Sequence, residues 1–394
     1  MLFVIQTKQL MLDTPLIISL SFTAFFFLLQ MFYCFVFLKT ATYKPIENTQ
    51  TDILKKQEPI SIIISCRNEA ENLTKLIPVL LAQKYAAFEL ILIDDRSYDE
   101  TRQVIFDAQK LDNRIKLVRI DDKPDKPDEP DGKKFALTMG IKAAKYDRLL
   151  FTDADCLPNT ENWIAEMSES FTTDKKFVLG VSLYDVEKGF LNSFIQFETL
   201  MTVAQYLSWA LMGSPYMGVG RNLAYRKSTF LENNGFYRHL RIVGGDDDLI
   251  VNRLAKDKET AICLSPESQT HSEAKKTWNS WYIQKKRHLS VGKHYKFSDK
   301  LRTSMFTFSV IWFWLAVIAQ IVVGFLMNVA WFYYVAGSVV VIRWLFLALV
   351  LHFIAKKISL KVAIWAYPFW EFCYVSYQII VGFIALTSSK VAWK

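Results

Sequence analysis

The chain has 394 residues, of which 52% are hydrophobic and 15% aromatic, and a formal net charge of +8. This length allows one large soluble domain together with membrane segments. The positive charge forms no long basic run and accompanies no recognised recognition motif, which argues against nucleic acid as a partner. Lysines and arginines flank apolar stretches instead, as in proteins that contact a membrane surface. The five cysteines show no CxxC spacing and suit a reducing compartment better than a disulfide framework or a zinc site.

An uncharged segment rich in Phe, Leu and Ile covers residues 15–38, after an N-terminal tail of residues 1–14. Its length is enough to cross the hydrocarbon core, and it is too long for the apolar region of a signal peptide. Lys39 and Lys44 follow it, so the positive-inside preference places the next part of the chain in the cytoplasm. We therefore predict a transmembrane helix in the inner or plasma membrane, a linker over residues 39–58 and a cytoplasmic domain after it.

Residues 59–300 alternate short β-branched runs with helical patterns. Residues 60–65, 88–93, 115–120 and 148–152 have the composition of buried strands. This alternation predicts an α/β domain with a mainly parallel sheet, in which ligands bind beyond the carboxyl ends of the strands. We expect the loop over residues 121–131, which is dense in Asp, Lys and Pro, to be exposed.

The chain becomes apolar again over residues 303–388. Residues 304–327 and 330–354 have the length of two membrane spans joined by a tight turn. A last segment, residues 362–386, contains Pro368 and Glu371. It either spans the membrane or is broken or re-entrant, because a carboxylate at membrane depth needs a partner. We therefore predict a C-terminal membrane region of two or three helices.

Acidic residues follow two of the predicted strands. Asp153 and Asp155 form a D-x-D sequence that can bind one divalent cation, and Mg²⁺ or Mn²⁺ prefers such hard oxygen ligands. Asp94 and Asp95 end another strand, where their oxygens could accept hydrogen bonds from a nucleobase and ribose hydroxyls. An ordinary turn or a helix cap is the alternative at each place.

A lysine opens a predicted helix further along the chain. Lys133 follows Gly132, and a lysine beside a helix N-terminus is well placed to bind a diphosphate. The glycine spacing and the Ser or Thr of a Walker loop are missing. A Gly-Lys pair alone is therefore uninformative.

Three adjacent carboxylates, residues 246–248, follow Gly244 and Gly245 at the start of another helix. The preference of helix N-termini for acidic residues explains one or two of them. If they are buried, at least one has a raised pKa, as a general base for a sugar hydroxyl requires.

A basic stretch rich in Trp and Tyr precedes the C-terminal membrane region and contains Gln284, Arg287 and His288. Its alternative interpretation is a juxtamembrane amphipathic helix with an aromatic belt. The two interpretations are compatible.

In their order and spacing these motifs resemble those of the family 2 glycosyltransferases, which have a Rossmann-like GT-A fold. The resemblance covers roughly residues 59–288. Its parts are the opening strand and R-N-E turn (60–73), the uridine-binding D-D-x-S-x-D (92–99), the G-K-x-x-A-L diphosphate lysine (132–137), the metal-binding D-x-D (152–155), the acceptor-side G-x-N-x-x-Y-R (220–226), the E-D motif (244–254) and Q-x-x-R-W (284–288).

The resemblance implies a role for each matching residue. Asp247 is the expected general base, with Asp248 as the fallback, and Asp246 stands where the family has Glu. His288 replaces the Trp that ends the last motif, which weighs against processive synthesis. The remaining implied roles are nucleotide-sugar binding for Glu69, Asp94, Asp95, Lys133 and Asp153, metal binding for Asp153 and Asp155, support of the leaving diphosphate for Gln284 and Arg287, and the acceptor side for Asn222 and His288.

The sequence therefore predicts a membrane-bound inverting glycosyltransferase, with an α/β GT-A domain flanked by transmembrane helices. The expected donor is a nucleotide-diphosphate sugar, such as a UDP-sugar, that carries a hexose or N-acetylhexosamine. The expected acceptor is a membrane lipid, because the short N-terminal anchor, the compact C-terminal membrane region and the lost Trp favour a single transfer. Residues 368–371 and 393–394 also resemble the end of ceramide glucosyltransferase-like enzymes. The first alternative is a processive synthase that extends a growing glycan such as poly-N-acetylglucosamine. The second is a non-catalytic membrane scaffold.

Overall fold

The computed structural model describes residues 2–44, 58–121, 132–240 and 242–387, with side chains from Thr14 onwards. The strands in these residues are β1 Ile60–Cys66, β2 Phe88–Asp95, β3 Ile115–Ile120, β4 Arg148–Phe151, β5 Cys156–Pro158, β6 Phe177–Leu179, β7 Ser182–Tyr184, β8 Leu223–Arg226, β9 Thr260–Ile262 and β10 Thr270–Ser272. The α-helices are α1 Leu2–Thr42, α2 Ala70–Leu81, α3 Thr101–Leu111, α4 Lys133–Ala143, α5 Trp163–Ser170, α6 Phe190–Leu211, α7 Lys227–Glu232, α8 Asp248–Leu254, α9 Trp278–Val291, α10 Phe297–Leu326, α11 Trp331–Lys357 and α12 Tyr367–Thr387.

The main sheet has seven strands in the order β3-β2-β1-β4-β8-β6-β9. The first four are parallel, β8 runs antiparallel to both of its neighbours, and β6 is parallel to β9. The predicted α/β domain with a mainly parallel sheet is thus confirmed. A second sheet, in the order β5-β10-β7, begins directly after the acidic turn that follows β4.

The apolar runs of the central strands are buried on both faces of the sheet. In β1, Ile62 and Ile64 belong to a cluster with Leu73 and Leu76 of α2, whereas Ile63 belongs to the core on the other face. The buried residues of α2 recur at helical spacing and therefore form one apolar face, which packs into this cluster. Covering both faces leaves the carboxyl-terminal edge of the sheet as the place where polar side chains collect.

Three helices among the described residues are long and apolar enough to cross a membrane. They are Thr14–Thr42 of α1, Phe297–Leu326 and Trp331–Lys357. Helix α1 packs against both α10 and α11. The three predicted segments over residues 15–38, 304–327 and 330–354 lie within α1, α10 and α11, apart from one residue at the end of the second segment and one at the start of the third.

The last predicted apolar segment forms the shorter helix α12, which carries Glu371. This carboxylate is buried and paired with the guanidinium of Arg343 on α11. The expectation that Glu371 needs a partner is thus met. Helix α12 also packs against α9 and α6 and connects the membrane helices to the domain.

Two segments of the sequence analysis fall largely outside the described residues. These are the linker, at residues 45–57, and the expected exposed loop beyond Asp121, at residues 122–131. All five cysteines are described, and all are free thiols, as their spacing predicts.

Candidate functional site

The site lies at the carboxyl-terminal edge of the parallel strands. Glu69 follows β1, Asp94 and Asp95 end β2, and Asp153 follows β4. Parallel strands end at one edge of a sheet, so these acidic residues collect on the same side of the domain. The structure therefore brings together motifs that are far apart in the sequence.

Lys133 joins two of the predicted motifs. Its ammonium Nζ lies 2.7 Å from Asp153 Oδ1 and 3.2 Å from Asp246 Oδ2. Burial alone would lower the pKa of Lys133. The negative charges of Asp153, Asp246 and Asp247 outweigh this effect and hold the pKa well above its usual value. The lysine is thus a charged bridge between the D-x-D turn and the start of α8.

Two glycines allow the acidic triplet to reach the cleft. Gly244 and Gly245 have φ angles of +77° and +70°, a region in which residues with side chains are strained. A Cβ atom on Gly245 would lie 2.8 Å from side-chain carbons of Leu249 and Val291. The tight turn at Gly245 therefore packs against Val291 at the end of α9.

Asp247 is fixed by two backbone amides. Its Oδ2 accepts a hydrogen bond from Gly220 N at 2.7 Å, and its Oδ1 accepts one from Asp248 N at 2.8 Å. Burial, and then the charge of Asp246, raise the pKa of Asp247. Asp246 is buried too, but Lys133 lowers the pKa of its carboxyl. Neighbouring carboxyls whose pKa values are driven apart are typical of acid–base sites.

The carboxylate of Asp248 does not line the cleft. Its Oδ2 accepts a hydrogen bond of 3.0 Å from the hydroxyl of Tyr295, and burial raises its pKa well above the usual value. A cleft with about 280 Å³ of empty space is lined by Asp153, Asp246 and Asp247 but not by Asp248. Asp247 is therefore better placed than Asp248 to act as a base.

The donor set after β4 fits a hard divalent cation. Ligand atoms of Asp153, Asp155 and Cys156 all lie within 4.8 Å of one another, and the described residues contain no other such group. Glu69 is close by: burial raises its pKa, and the charges of Asp155 and Asp153 add to this effect. Carboxylate oxygens in a strand-end turn suit Mg²⁺ or Mn²⁺.

Asp94 and Asp95 lie where predicted, but both are tied to arginines. Asp94 is fully buried, and its carboxylate accepts hydrogen bonds from Arg102 Nε at 2.7 Å and Ser97 N at 3.1 Å. Asp95 accepts one from Arg96 Nε at 2.8 Å. In this conformation the two carboxylates shape the turn after β2 from within.

The side chain of Asn222 lies in the interior of the domain. It is completely buried, its Oδ1 accepts from Trp163 Nε1 at 3.0 Å, and its Nδ2 donates to the carbonyls of Val181 and Ser268. All of its polar groups are therefore used inside the domain. The structure gives no support to the expectation that Asn222 faces the acceptor.

Helix α9 places the basic motif above the cleft. Gln284 Nε2 donates to the hydroxyl of Tyr184 at 3.4 Å, and Arg287 packs along the turn at Gly244. His288 lies on the same helix, and its side chain is exposed.

Two further side chains serve the site without having been predicted. The Thr152 hydroxyl faces the cleft and is buried with no hydrogen-bond partner among the described residues. Lys134 Nζ donates to the carbonyls of His239 and Ile242, both at 2.6 Å, and so anchors the loop before Gly244. Thr152 could have been found because it adjoins the D-x-D motif in the sequence. No sequence pattern distinguishes the role of Lys134 from that of Lys133.

Comparison with known families gives two matches. A family model described as "Glycosyl transferase family 2" matches residues 61–230, and one described as "Glycosyl transferase family group 2" matches residues 150–379. The second match covers more than half of the chain.

Individual proteins are similar over shorter stretches. Poly-beta-1,6-N-acetyl-D-glucosamine synthase from Staphylococcus aureus (strain COL) is 32% identical over 130 residues, which are 33% of this chain and 29% of that protein. The protein of the same name from Staphylococcus epidermidis is 34% identical over 98 residues, 25% of this chain and 22% of that protein. The chain thus matches less than a third of the length of these relatives.

A solved structure is similar over most of the chain. "Mannosyltransferase PcManGT from Pyrobaculum calidifontis in complex with GDP-Man and Mn2+" has a TM-score of 0.55 and 15% sequence identity. The match covers 88% of this chain and 99% of that chain. At this identity the likeness concerns the fold alone, and it confirms the predicted GT-A fold.

Proposed function

This chain belongs to the family 2 glycosyltransferases, and from that premise we propose that it moves a hexose or N-acetylhexosamine from a UDP-sugar to a membrane lipid. The observation that carries the proposal is the convergence of Lys133, Asp153, Asp246 and Asp247 in one cleft. A diphosphate-binding lysine, metal-binding carboxylates and a base with a raised pKa are the groups that a single displacement at the anomeric carbon requires.

In the proposed reaction Asp247 accepts the proton of the acceptor hydroxyl. Its two backbone hydrogen bonds fix its position, and its raised pKa makes it a stronger base than an ordinary carboxylate. The hydroxyl oxygen attacks the anomeric carbon from the face opposite the diphosphate, so the configuration inverts. The bond to the diphosphate breaks, and UDP leaves.

The leaving diphosphate needs positive charge. Lys133 provides it inside the cleft, and Arg287 and Gln284 on α9 are proposed to provide further donors from above. Mg²⁺ or Mn²⁺ on Asp153 and Asp155 would neutralise the diphosphate oxygens and so lower the barrier. Glu69, Asp94 and Asp95 form the proposed nucleotide side of the same pocket.

A lipid acceptor fits the position of the catalytic domain against the apolar helices. Phe194 of α6, Trp281 of α9 and Tyr377 of α12 are buried and in ring contact, with centroids 5.1–6.1 Å apart. They join the domain to α12, which also packs against α10 and α11. An acceptor held in the bilayer would therefore lie close to the domain.

The names of the curated relatives favour a second candidate, a processive polysaccharide synthase. Those relatives match this chain over only 130 and 98 residues, so the choice of acceptor is left open by the similarity. His288 in place of a stacking Trp weighs against a long glycan, because an imidazole offers a smaller stacking surface.

The deciding experiment measures transfer of radiolabelled sugar by membranes that contain the full chain, with a panel of UDP-sugars. Products are divided between organic solvent and water, and Asp247→Asn serves as the control. Label in the organic phase that the variant loses supports a lipid glycosyltransferase. Label in a high-molecular-weight aqueous product supports the synthase and contradicts the lipid acceptor. Equal label in wild type and variant contradicts the proposed catalytic site.

A further inference from the structure

A half-buried arginine stands beside the acidic cleft without a carboxylate partner. Arg221 follows Gly220 in the turn before β8, and its guanidinium lies over the ring of Tyr184, 4.3 Å from the centroid. Its Nη1 donates to Ser272 Oγ at 2.7 Å, and its backbone carbonyl accepts from Thr270 Oγ1 at 2.9 Å. Across the part of the chain that the structure describes, its side chain makes no ion pair.

The small second sheet places this guanidinium next to the D-x-D turn. Tyr184, Ser272 and Cys156 are in register across β7, β10 and β5, so their side chains share one face. Cys156 directly follows Asp155, and its Sγ lies 3.4 Å from Asp155 Oδ1. Arg221 therefore stands between the metal-binding carboxylates and Tyr184, which contacts Gln284 of α9.

The charge of Arg221 is retained at this place. Burial alone would lower the pKa of its guanidinium, but Tyr184 and Cys156, followed by Asp153 and Asp155, raise it. A divalent cation on those carboxylates would take up their negative charge, and Arg221 would then lack a counter-charge. The site would present excess positive charge to a ligand.

Other arginines show what a purely structural role looks like in this protein. Arg114 also stacks on an aromatic ring, with Phe88 4.6 Å away, but it is paired with Asp112 at 2.7 Å. Arg226 on β8 is paired with Asp147. Within the described residues Arg221 has the aromatic support without a carboxylate partner, and the N–H donors of its guanidinium match the planar geometry of a phosphate.

We propose that Arg221 binds a phosphate group of the substrate at the junction between the metal-binding turn and the acceptor side. The inference rests on the proposed function, because it names a substrate contact within the same cleft. The phosphate belongs either to the diphosphate of the donor or to the headgroup of an anionic lipid acceptor. The chemistry is the same in both cases, and two measurements distinguish the sources.

The first measurement is the affinity of the purified full chain for UDP in the presence of Mn²⁺. If the donor diphosphate is the ligand, Arg221→Gln weakens UDP binding by about tenfold or more. Arg221→Lys keeps the charge but loses the planar fork, so an intermediate affinity is expected. Arg114→Gln is the matched control, an aromatic-stacked arginine at the opposite edge of the sheet, and it leaves UDP affinity unchanged.

The second measurement compares two acceptors in phosphatidylcholine vesicles, anionic phosphatidylglycerol and neutral diacylglycerol. If the acceptor phosphate is the ligand, Arg221→Gln raises the KM for phosphatidylglycerol about tenfold and leaves both the KM for diacylglycerol and the affinity for UDP unchanged. An unchanged UDP affinity, together with no arginine-dependent use of phosphatidylglycerol, overturns the proposal. Failure of the proposed function is distinguishable, because the wild type itself would then bind no UDP or would transfer sugar to neither lipid.

Discussion

Among the described residues, a cluster of charge between the membrane helices and another in the cleft differ in how completely the charge is paired. Between the membrane helices, Arg343 faces Glu371 and Gln30, and every nitrogen of its guanidinium donates a hydrogen bond. Tyr367 and Trp314 supply further donors to Glu371. One positive charge meets one negative charge, and the remaining polar groups are satisfied.

In the cleft, the negative charges of the carboxylates are not matched one to one by positive charges. Lys133 contacts Asp153 and Asp246, while Asp247 lies beside them and Asp155 is exposed close by. Carboxylates outnumber the ammonium group that faces them, and burial makes such an excess costly. Balanced buried charge holds elements together, whereas the excess of carboxylates in the cleft suits the binding of a cationic ligand.

The largest effect is expected at the proposed base. Asp247→Asn keeps the shape of the side chain but removes its basicity, so kcat for sugar transfer falls by about 10³-fold. Donor binding depends on other residues and changes little. Initial rates with a labelled UDP-sugar, together with UDP affinity, separate the two effects. Retention of more than about a tenth of the wild-type kcat would contradict the assignment of Asp247 as the base.

For the paired charges of Arg343 and Glu371, the expected effect of a substitution is on the free energy of unfolding. Arg343→Met leaves Glu371 buried without a counter-charge, which costs about 3 kcal/mol of the free energy of unfolding or more. Replacing both residues, with Met at 343 and Leu at 371, recovers much of this loss because no unpaired charge remains. Thermal unfolding of the full chain in detergent measures both effects. Equal melting temperatures for wild type and Arg343→Met would show that the pair does not stabilise the membrane helices.

A smaller effect on rate is expected at Gly220, whose amide holds Asp247. A Cβ atom on Gly220 would lie 3.0 Å from Asp247 Oδ2 and 3.2 Å from Asp247 Cβ, so the carboxylate must shift by a few tenths of an ångström. Gly220→Ala is therefore expected to lower kcat about tenfold. UDP affinity is the internal control and stays unchanged. A normal kcat would indicate that the position of Asp247 is not critical.

The last prediction concerns pH. A base works only when deprotonated, so transfer falls as pH drops through the raised pKa of Asp247. Part of that rise comes from the charge of Asp246. Asp246→Asn removes this charge and frees Lys133, and both changes lower the pKa of Asp247. The acid limb of the profile of kcat/KM against pH therefore moves to lower pH, and a move to higher pH would contradict the assignment.

The sequence predicts the fold and the position of the cleft well, because both depend on local patterns. The runs at residues 60–65 and 88–93 form β1 and β2, and the acidic motifs follow strands that are parallel neighbours or next neighbours in the sheet. The direction of each side chain depends on contacts distant in the sequence. Asn222 is held in the interior by Trp163, and Arg221 by Ser272, and neither contact leaves a local pattern.

We expect the unbalanced carboxylates of the cleft to bind a divalent cation together with a nucleotide diphosphate. The most direct measurement is calorimetric titration of UDP into the purified full chain, with and without Mn²⁺, beside a variant that carries both Asp153→Asn and Asp155→Asn. We expect UDP to bind the wild type only when Mn²⁺ is present, and the variant not to bind UDP under either condition. Equal UDP affinity with and without Mn²⁺, or in wild type and variant, would contradict the claim.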